Sequence, residues 1–361
     1  MEKSKIKSLG KRYFIDAMGA MAQGLFASLL IGTIFKTLGM IPGLSILSKI
    51  GVGAQAIAGP AMAVAIAWSL GAHPLVIYTC AAVGWLANSL GGAGGPLAVL
   101  VIAIVSSEVG MLVSKKTKVD ILVTPSVVLL VGGLLSVWTA PFIGGLVGYV
   151  SNFIGWATTC QPFIMGILVS VAVGVALTLP ISSAAICAAI SLTGMVALNE
   201  AGEVIARDYE GLALAGGAAV AGCCAQMVGF AVMSFRENRI GGLVSQGLGT
   251  SMLQMPNIVK NPRIWIPATL TSAITGPLAT CVFHMRMYSA AINSGMGTCG
   301  LLGPIGIILG WFGGEYPDAV TAFDWIGLVL ICFILPAVLS FVFCEILRKI
   351  GWIRENDLTL Q

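Results

Sequence analysis

Between Asp120 and Glu200 the chain runs through 79 residues without one Asp, Glu, Lys, Arg or His. Water-soluble domains carry about 25% charged residues, whereas this chain is 9% charged and 57% hydrophobic, with a mean hydropathy of +0.97. It lacks the polar residues needed to cover itself in water. Its apolar runs reach the ~20 residues that cross hydrocarbon as a helix. The fold class this implies is an all-α polytopic membrane protein.

By length and apolarity, spanning helices are expected near 17–38, 52–72, 74–92, 95–114, 119–138, 162–180, 181–199, 210–234, 264–284 and 322–346. Three apolar pieces remain. Residues 140–158 carry Gly, Ser and Asn and suit an interfacial helix or a span. Residues 240–256, "IGGLVSQGLGTSMLQMP", are too short and polar to cross alone. Residues 293–313 are rich in glycine and hold Pro304.

Charge placement arbitrates, because Lys and Arg concentrate in cytoplasmic loops. The first twelve residues, "MEKSKIKSLGKR", hold five basic ones. The run from Ala17 to Phe35 is too long for a cleaved signal and reads as a retained first helix. With 140–158 uncounted, the clusters "KKTK" (115–118), "FRENR" (235–239), "KNPR" (260–263) and "RKIGWIRE" (348–355) all fall in the cytoplasm. The acidic loop 199–210 then falls outside. This requires 240–256 and 293–313 to enter and leave by one face each. The expectation is therefore about ten transmembrane helices plus two opposed re-entrant hairpins. They form a single integral membrane domain over 1–361: a basic cytoplasmic N-terminus (1–16), a membrane body (17–346) and a cytoplasmic tail (347–361).

Non-helical backbone survives at membrane depth only when buried in protein or lining a watery cavity. Gly-Pro pairs recur at Gly59-Pro60, Gly95-Pro96, Gly276-Pro277 and Gly303-Pro304, and "GGPLAVLVIA" (94–103) echoes "TGPLATCVF" (275–283). Paired Gly/Pro-interrupted segments in two halves point to the binding site of a secondary transporter. Neutral hydrogen-bonding residues gather beside these breaks: Asn88 and Ser89, Ser182 and Ser183, Gln226, Gln246 and Gln254, and Thr298. Each suits either an interhelical hydrogen bond or recognition of a neutral polyol or sugar. His284 and Arg286 mark a helix end, with His284 also a candidate substrate contact. Glu108 lies seven residues before Lys115, ~10 Å inside the boundary. A carboxylate there is either an ion-coupling group or a Lys-paired acid near the interface.

Other chemistry is excluded. There is no G-x-x-x-x-G-K-[ST] phosphate loop and no CxxC pair. Adjacent Cys223-Cys224 suit neither an ordinary disulfide nor a tetrahedral metal site, and there are only two histidines, His73 and His284. No catalytic constellation, metal, cofactor or nucleic-acid partner is expected.

The run "NPRIWIPATLTSAITGPLATCVF" followed by "NSGMGTCGLLGPIG" resembles the membrane-embedded IIC components of the bacterial phosphotransferase sugar system, closest to their stand-alone perfringolysin-regulator-like branch. "KKTKVDILVTPSVVLLVGGLL" (115–135) is similar to the basic-loop-then-Pro segment of fructose-type IIC domains. The resemblance implies a homodimeric carrier in a bacterial cytoplasmic membrane, a carbohydrate-like solute, and phosphate supplied by separate cytoplasmic phosphocarrier proteins. The chain departs from related IIC motifs. Glu200 is followed by Ala201, not proline, and "TLPISSAAI" stands where fructose-type domains carry Asn-Lys. No catalytic residue is therefore carried over. Three functions remain open: an alternating-access carrier of a small polar solute, a membrane-bound regulator that keeps the fold without transport, and an ion-coupled carrier using Glu108.

Overall fold

The computed structural model describes residues 10–39, 43–195, 208–312, 316 and 318–360. The lysine-rich stretch 1–9, most of the acidic loop including Glu200, and Gly313 lie outside them. Among the described residues there is helix but no strand.

The first helix, α1 (12–38), contains two widened single turns at Arg12–Asp16 and Phe26–Leu30, a distortion frequent at functional sites. The chain returns along it as α2 (Ser45–Ala56) and α3 (Ala58–Ser69), bent by 52° at Ile57. The break has a local cause: within one continuous helix, the ring of Pro60 would strike the carbonyl of Ala56. Next, α4 (Pro74–Gly91) and α5 (Gly95–Val113) form an antiparallel pair about Gly92, whose φ of +52° makes the turn. Cys80 and Ser107 touch across it at 3.5 Å.

α6 (Asp120–Ala157) is continuous over 38 residues. The stretch 140–158, expected as a separate piece, is its second half. Pro141 does not stop the helix, which passes straight through it. At ~57 Å, α6 is far longer than a ~30 Å hydrocarbon core. Its outer side bares Leu130, Trp138, Phe142 and Tyr149, the apolar surface that lipid accepts.

α7 (Pro162–Thr178) runs parallel to α9 (Tyr209–Met233). Small residues in "GLALAGGAAVAGCCA" let neighbours approach α9 closely, and 78% of its most apolar window is buried. Between them, 181–199 was expected to span. Its described part instead holds only the seven-residue α8 (Ser183–Ala189), ~10 Å long. Pro180 cannot prolong α7, so Leu179 is extended. Past α8, Ser191 turns at φ +52°. The Gly194 N–H then donates to the Met287 carbonyl at 2.8 Å, and the Thr193 hydroxyl donates to that of Ser289 at 2.7 Å.

After α9 come α10 (Phe235–Val244), irregular turns through Gln254, and α11 (Met255–Lys260). α12 (Ile266–Pro277) extends by a widened turn to Val282. α13 (Leu302–Phe312) and α14 (322–349) complete the body.

Among the described residues, five helices are long and apolar enough to cross a membrane, or six if α2 and α3 form one bent span. That tally joins α4 to α5, which are two antiparallel helices, and leaves out the 17-residue α7. The molecule is a multi-pass membrane protein. Arg12, Glu108, Lys115, Arg236, Arg348 and the C-terminal segment share one end of the bundle, the basic face. Arg286 lies at the opposite face, paired with Glu210 at 3.0 Å and Asp318 at 2.7 Å. Nearby, burial and the carboxylate of Asp324 push the Tyr316 phenol above its ordinary pKa.

Candidate functional site: a file of cavities along the first helix

Two excursions enter the body from opposite faces. From the face of Arg286, the Met287 N–H donates to the Ala213 carbonyl at 2.9 Å, near the start of α9. Ten residues further along the chain, Gly297 lies against Cys223, ~15 Å deeper on α9. There the chain reverses: the Gly303 N–H donates to the Gly297 carbonyl at 2.8 Å, Gly306 backs onto Asn293 and Gly310 onto Tyr288. Gly297 has φ +51° and a Cβ there would sit 2.6 Å from that of Cys223, so only glycine fits the tip.

From the basic face, α10 descends to Gly249 and Thr250, and α11 climbs back. At this second tip the Ser251 hydroxyl meets that of Thr178 at 2.8 Å and Gly249 abuts Phe26.

Three cavities follow one side of α1. The inner one, about 260 Å³, is bounded by Gly19, Gln23 and Phe26 together with Asn257 and Leu360. A throat of about 60 Å³ lies beside Leu25, Leu29 and Leu30. The outer chamber, about 300 Å³, takes in Leu29, Thr33 and Lys36. The positions 19, 23, 26, 29, 33 and 36 step by three or four, which is one helical face. They cover ~26 Å of rise, close to the ~30 Å hydrocarbon thickness. The facing wall is built from both excursions: Thr250 and Met252 of one and Met296 and Cys299 of the other line the same throat. Leu29, Ser182, Ala184 and Met296 belong to throat and outer chamber alike. The widened turn Phe26–Leu30 stands at this narrowest level.

The sequence-derived candidates divide. Ser182 lines both outer cavities and accepts the Ala185 N–H as the cap of α8. Ser183 lines the throat and donates to the Gly295 carbonyl at 2.7 Å. Thr298, 1% exposed at the outer tip, has a hydroxyl without a hydrogen-bond partner among the described residues. Such groups are uncommon in folded proteins.

Gln226 is engaged on all sides. Its carbonyl accepts from Trp265 at 3.0 Å and Thr178 at 3.3 Å, and its amide donates to Thr269 and Ser272. Gln246 donates to Ser234 at 2.7 Å and accepts from Gln254 at 2.9 Å. Both amides are held within the protein, clear of the cavities. Asn88 sits at the α4–α5 turn against Gly59 and Gly95. His284 is exposed past α12. Glu108 meets Arg12 at 2.8 Å and the Tyr13 hydroxyl at 3.0 Å, at the basic face.

A model of the phosphotransferase system EIIC family matches residues 15–360. The chain belongs to that family. No curated protein and no solved structure matches it. For an EIIC chain, the cavity lining adds Thr33, Lys36, Gln55 and Asn293 to the candidates. Lys36 escapes a reading by hydropathy because it ends an apolar run. The discoverable signal is the stripe it shares with Thr33 and Gln23. Among the described residues, no group of His, Cys, Asp and Glu could hold a metal ion.

Proposed function

We propose that this EIIC protein carries a small, polar, carbohydrate-like solute across the bacterial cytoplasmic membrane by alternating access, along the face of α1 between Gly19 and Lys36. The observation that carries this reading is the serial placement of two chambers and a narrow throat between α1 and two oppositely entering excursions. The excursions are then opposed re-entrant hairpins in one integral membrane domain. By the bias of Lys and Arg toward the cytoplasm, the basic face, both termini and the inner cavity are cytoplasmic. In this reading, opening the inner cavity to the outer one requires α1 and the hairpin tips to part near Leu29 and Met296. Separate phosphocarrier proteins dock at the basic face, and two copies pair in the membrane, as the family likeness suggests.

The test is uptake of a panel of radiolabelled sugars and sugar derivatives into proteoliposomes holding the purified chain, with and without a phosphorylated carrier protein. Accumulation of one solute supports the carrier. Tight solute binding with no movement, in both conditions, would favour a regulator that has kept the fold.

A further inference from the structure

The outer chamber has fourteen lining residues, and Lys36 is the one with a charge. Its setting is polar on one side and otherwise apolar. One turn before it, the Thr33 hydroxyl accepts from Gln55 Nε2 at 2.8 Å. Across the chamber, Asn293 Nδ2 donates to the Ser289 hydroxyl at 3.0 Å.

Among the described residues, no carboxylate pairs with the ammonium. From Ala17 to Ser107 the chain has no Asp or Glu, so α2, α3 and α4 bring no carboxylate. Lys36 enters none of the ion pairs found among the described residues. Of the described carboxylates at this end of the bundle, Glu210 and Asp318 are held by Arg286, Asp208 caps α9 and Asp324 caps α14. A lysine here also runs against the charge bias, since the proposed orientation puts it on the outer side. Its place in the last turn of α1 does complement the helix dipole, but any position on that turn would do so. Lys36 takes the one that extends the Gln23–Thr33 stripe into the chamber.

We propose that the outer chamber takes a hydroxylated solute bearing one carboxylate or phosphate group, with Lys36 Nζ as its counter-charge and Thr33, Gln55 and Asn293 meeting its hydroxyls. This inference deepens the carrier reading and rests on it. A charge-assisted hydrogen bond is stronger than its neutral equivalent, so charge selects the solute and the neutral groups orient it.

The test is binding by the full chain in lipid nanodiscs, followed by calorimetry or thermal shift. The probes are gluconate and glucose 6-phosphate against glucose, with acetate and inorganic phosphate as anions without the polyol. At least one acidic probe is expected to bind about tenfold or more tighter than glucose, weakening with salt. Lys36→Gln should remove that preference and Lys36→Arg keep most of it. Lys49→Gln, on the same pair of helices but outside the chamber lining, should leave it unchanged. The carboxylate and phosphate arms show which anion is taken. Glucose binding as tightly as both acidic probes, or Lys36→Gln retaining the preference, overturns the charge assignment and leaves the carrier standing. Acetate or phosphate matching the acidic polyols shows attraction to ions alone and also overturns it. Binding of none of the probes, with no uptake of any panel solute, removes the carrier reading and this inference together.

Discussion

Gln254 donates its Nε2 hydrogen to the main-chain carbonyl of Leu358, 104 residues further along the chain, at 2.9 Å. Asn238 Nδ2 reaches the same carbonyl at 2.8 Å, and Asn257 Nδ2 donates to that of Thr359 at 2.8 Å. Leu358 and Thr359 are thereby sewn to α10, α11 and the turn between them, and Leu358 is completely buried. Leu358→Ala should cost about 2–5 kcal/mol, the usual range for emptying a buried leucine site. It is read as a lower melting temperature in detergent. A change of a fraction of a degree would mean that the tail is not part of the folded core.

Glu108→Gln addresses the pair at the basic face. The side chains of Arg12 and Glu108 are 39% and 33% exposed, so screening by water keeps the pair's worth to about 1 kcal/mol or less. The variant should fold, melt slightly lower, and keep the pH profile of uptake. A flattened profile would instead identify Glu108 as the ion-coupling carboxylate.

Gly297→Ala tests the outer tip. Its φ of +51° and the 2.6 Å approach to Cys223 are both hostile to a side chain. Left-handed strain alone is worth about 1–3 kcal/mol, and the clash adds to it. The expected outcome is a clear loss of thermal stability, accompanied by slower uptake because the tip is displaced from the throat. Wild-type stability would show that the tip is loose.

Sidedness is checked with added cysteines in a Cys160→Ser, Cys281→Ser background, since Cys281 is exposed, Cys160 half-buried and the other native thiols buried. Cysteines at Ile240 and Lys260 should react with an impermeant maleimide from the basic face, and those at His284 and Phe312 from the other. Members of one pair reacting from opposite sides would make that excursion a true crossing.

Much of this architecture was legible beforehand. The buried helix expected at 210–234 is Tyr209–Met233, because a long apolar run admits one backbone path through lipid. Both excursions were visible as glycine-rich segments too irregular to be rods. The misjudged elements share a cause: hydropathy sums composition and is blind to where the chain turns. Residues 181–199 are apolar enough to cross, yet Pro180 and the Ser191 turn leave a half-helix. Conversely 140–158, which reads as a separate piece, is the continuation of an unbroken α6 through Pro141. Of the polar residues near breaks, Ser182 and Ser183 line the cavities, whereas Thr298 lies buried at the outer tip. Gln226 and Gln246 have the same signature but are hydrogen-bonded to neighbouring side chains, and no single-residue signal separates the two cases.

Ala184→Leu separates recognition from movement. Ala184 borders both the outer chamber and the throat, and the change adds three carbons to a passage of about 60 Å³. Overpacking of this kind costs about 1–3 kcal/mol, so the protein should still fold. The outer chamber loses little of its about 300 Å³, so solute should still raise the melting temperature. Uptake should fall about tenfold or more, the effect of raising the transit barrier by 1.4 kcal/mol. Unimpaired uptake would show that solute does not pass the constriction beside Leu29 and Met296.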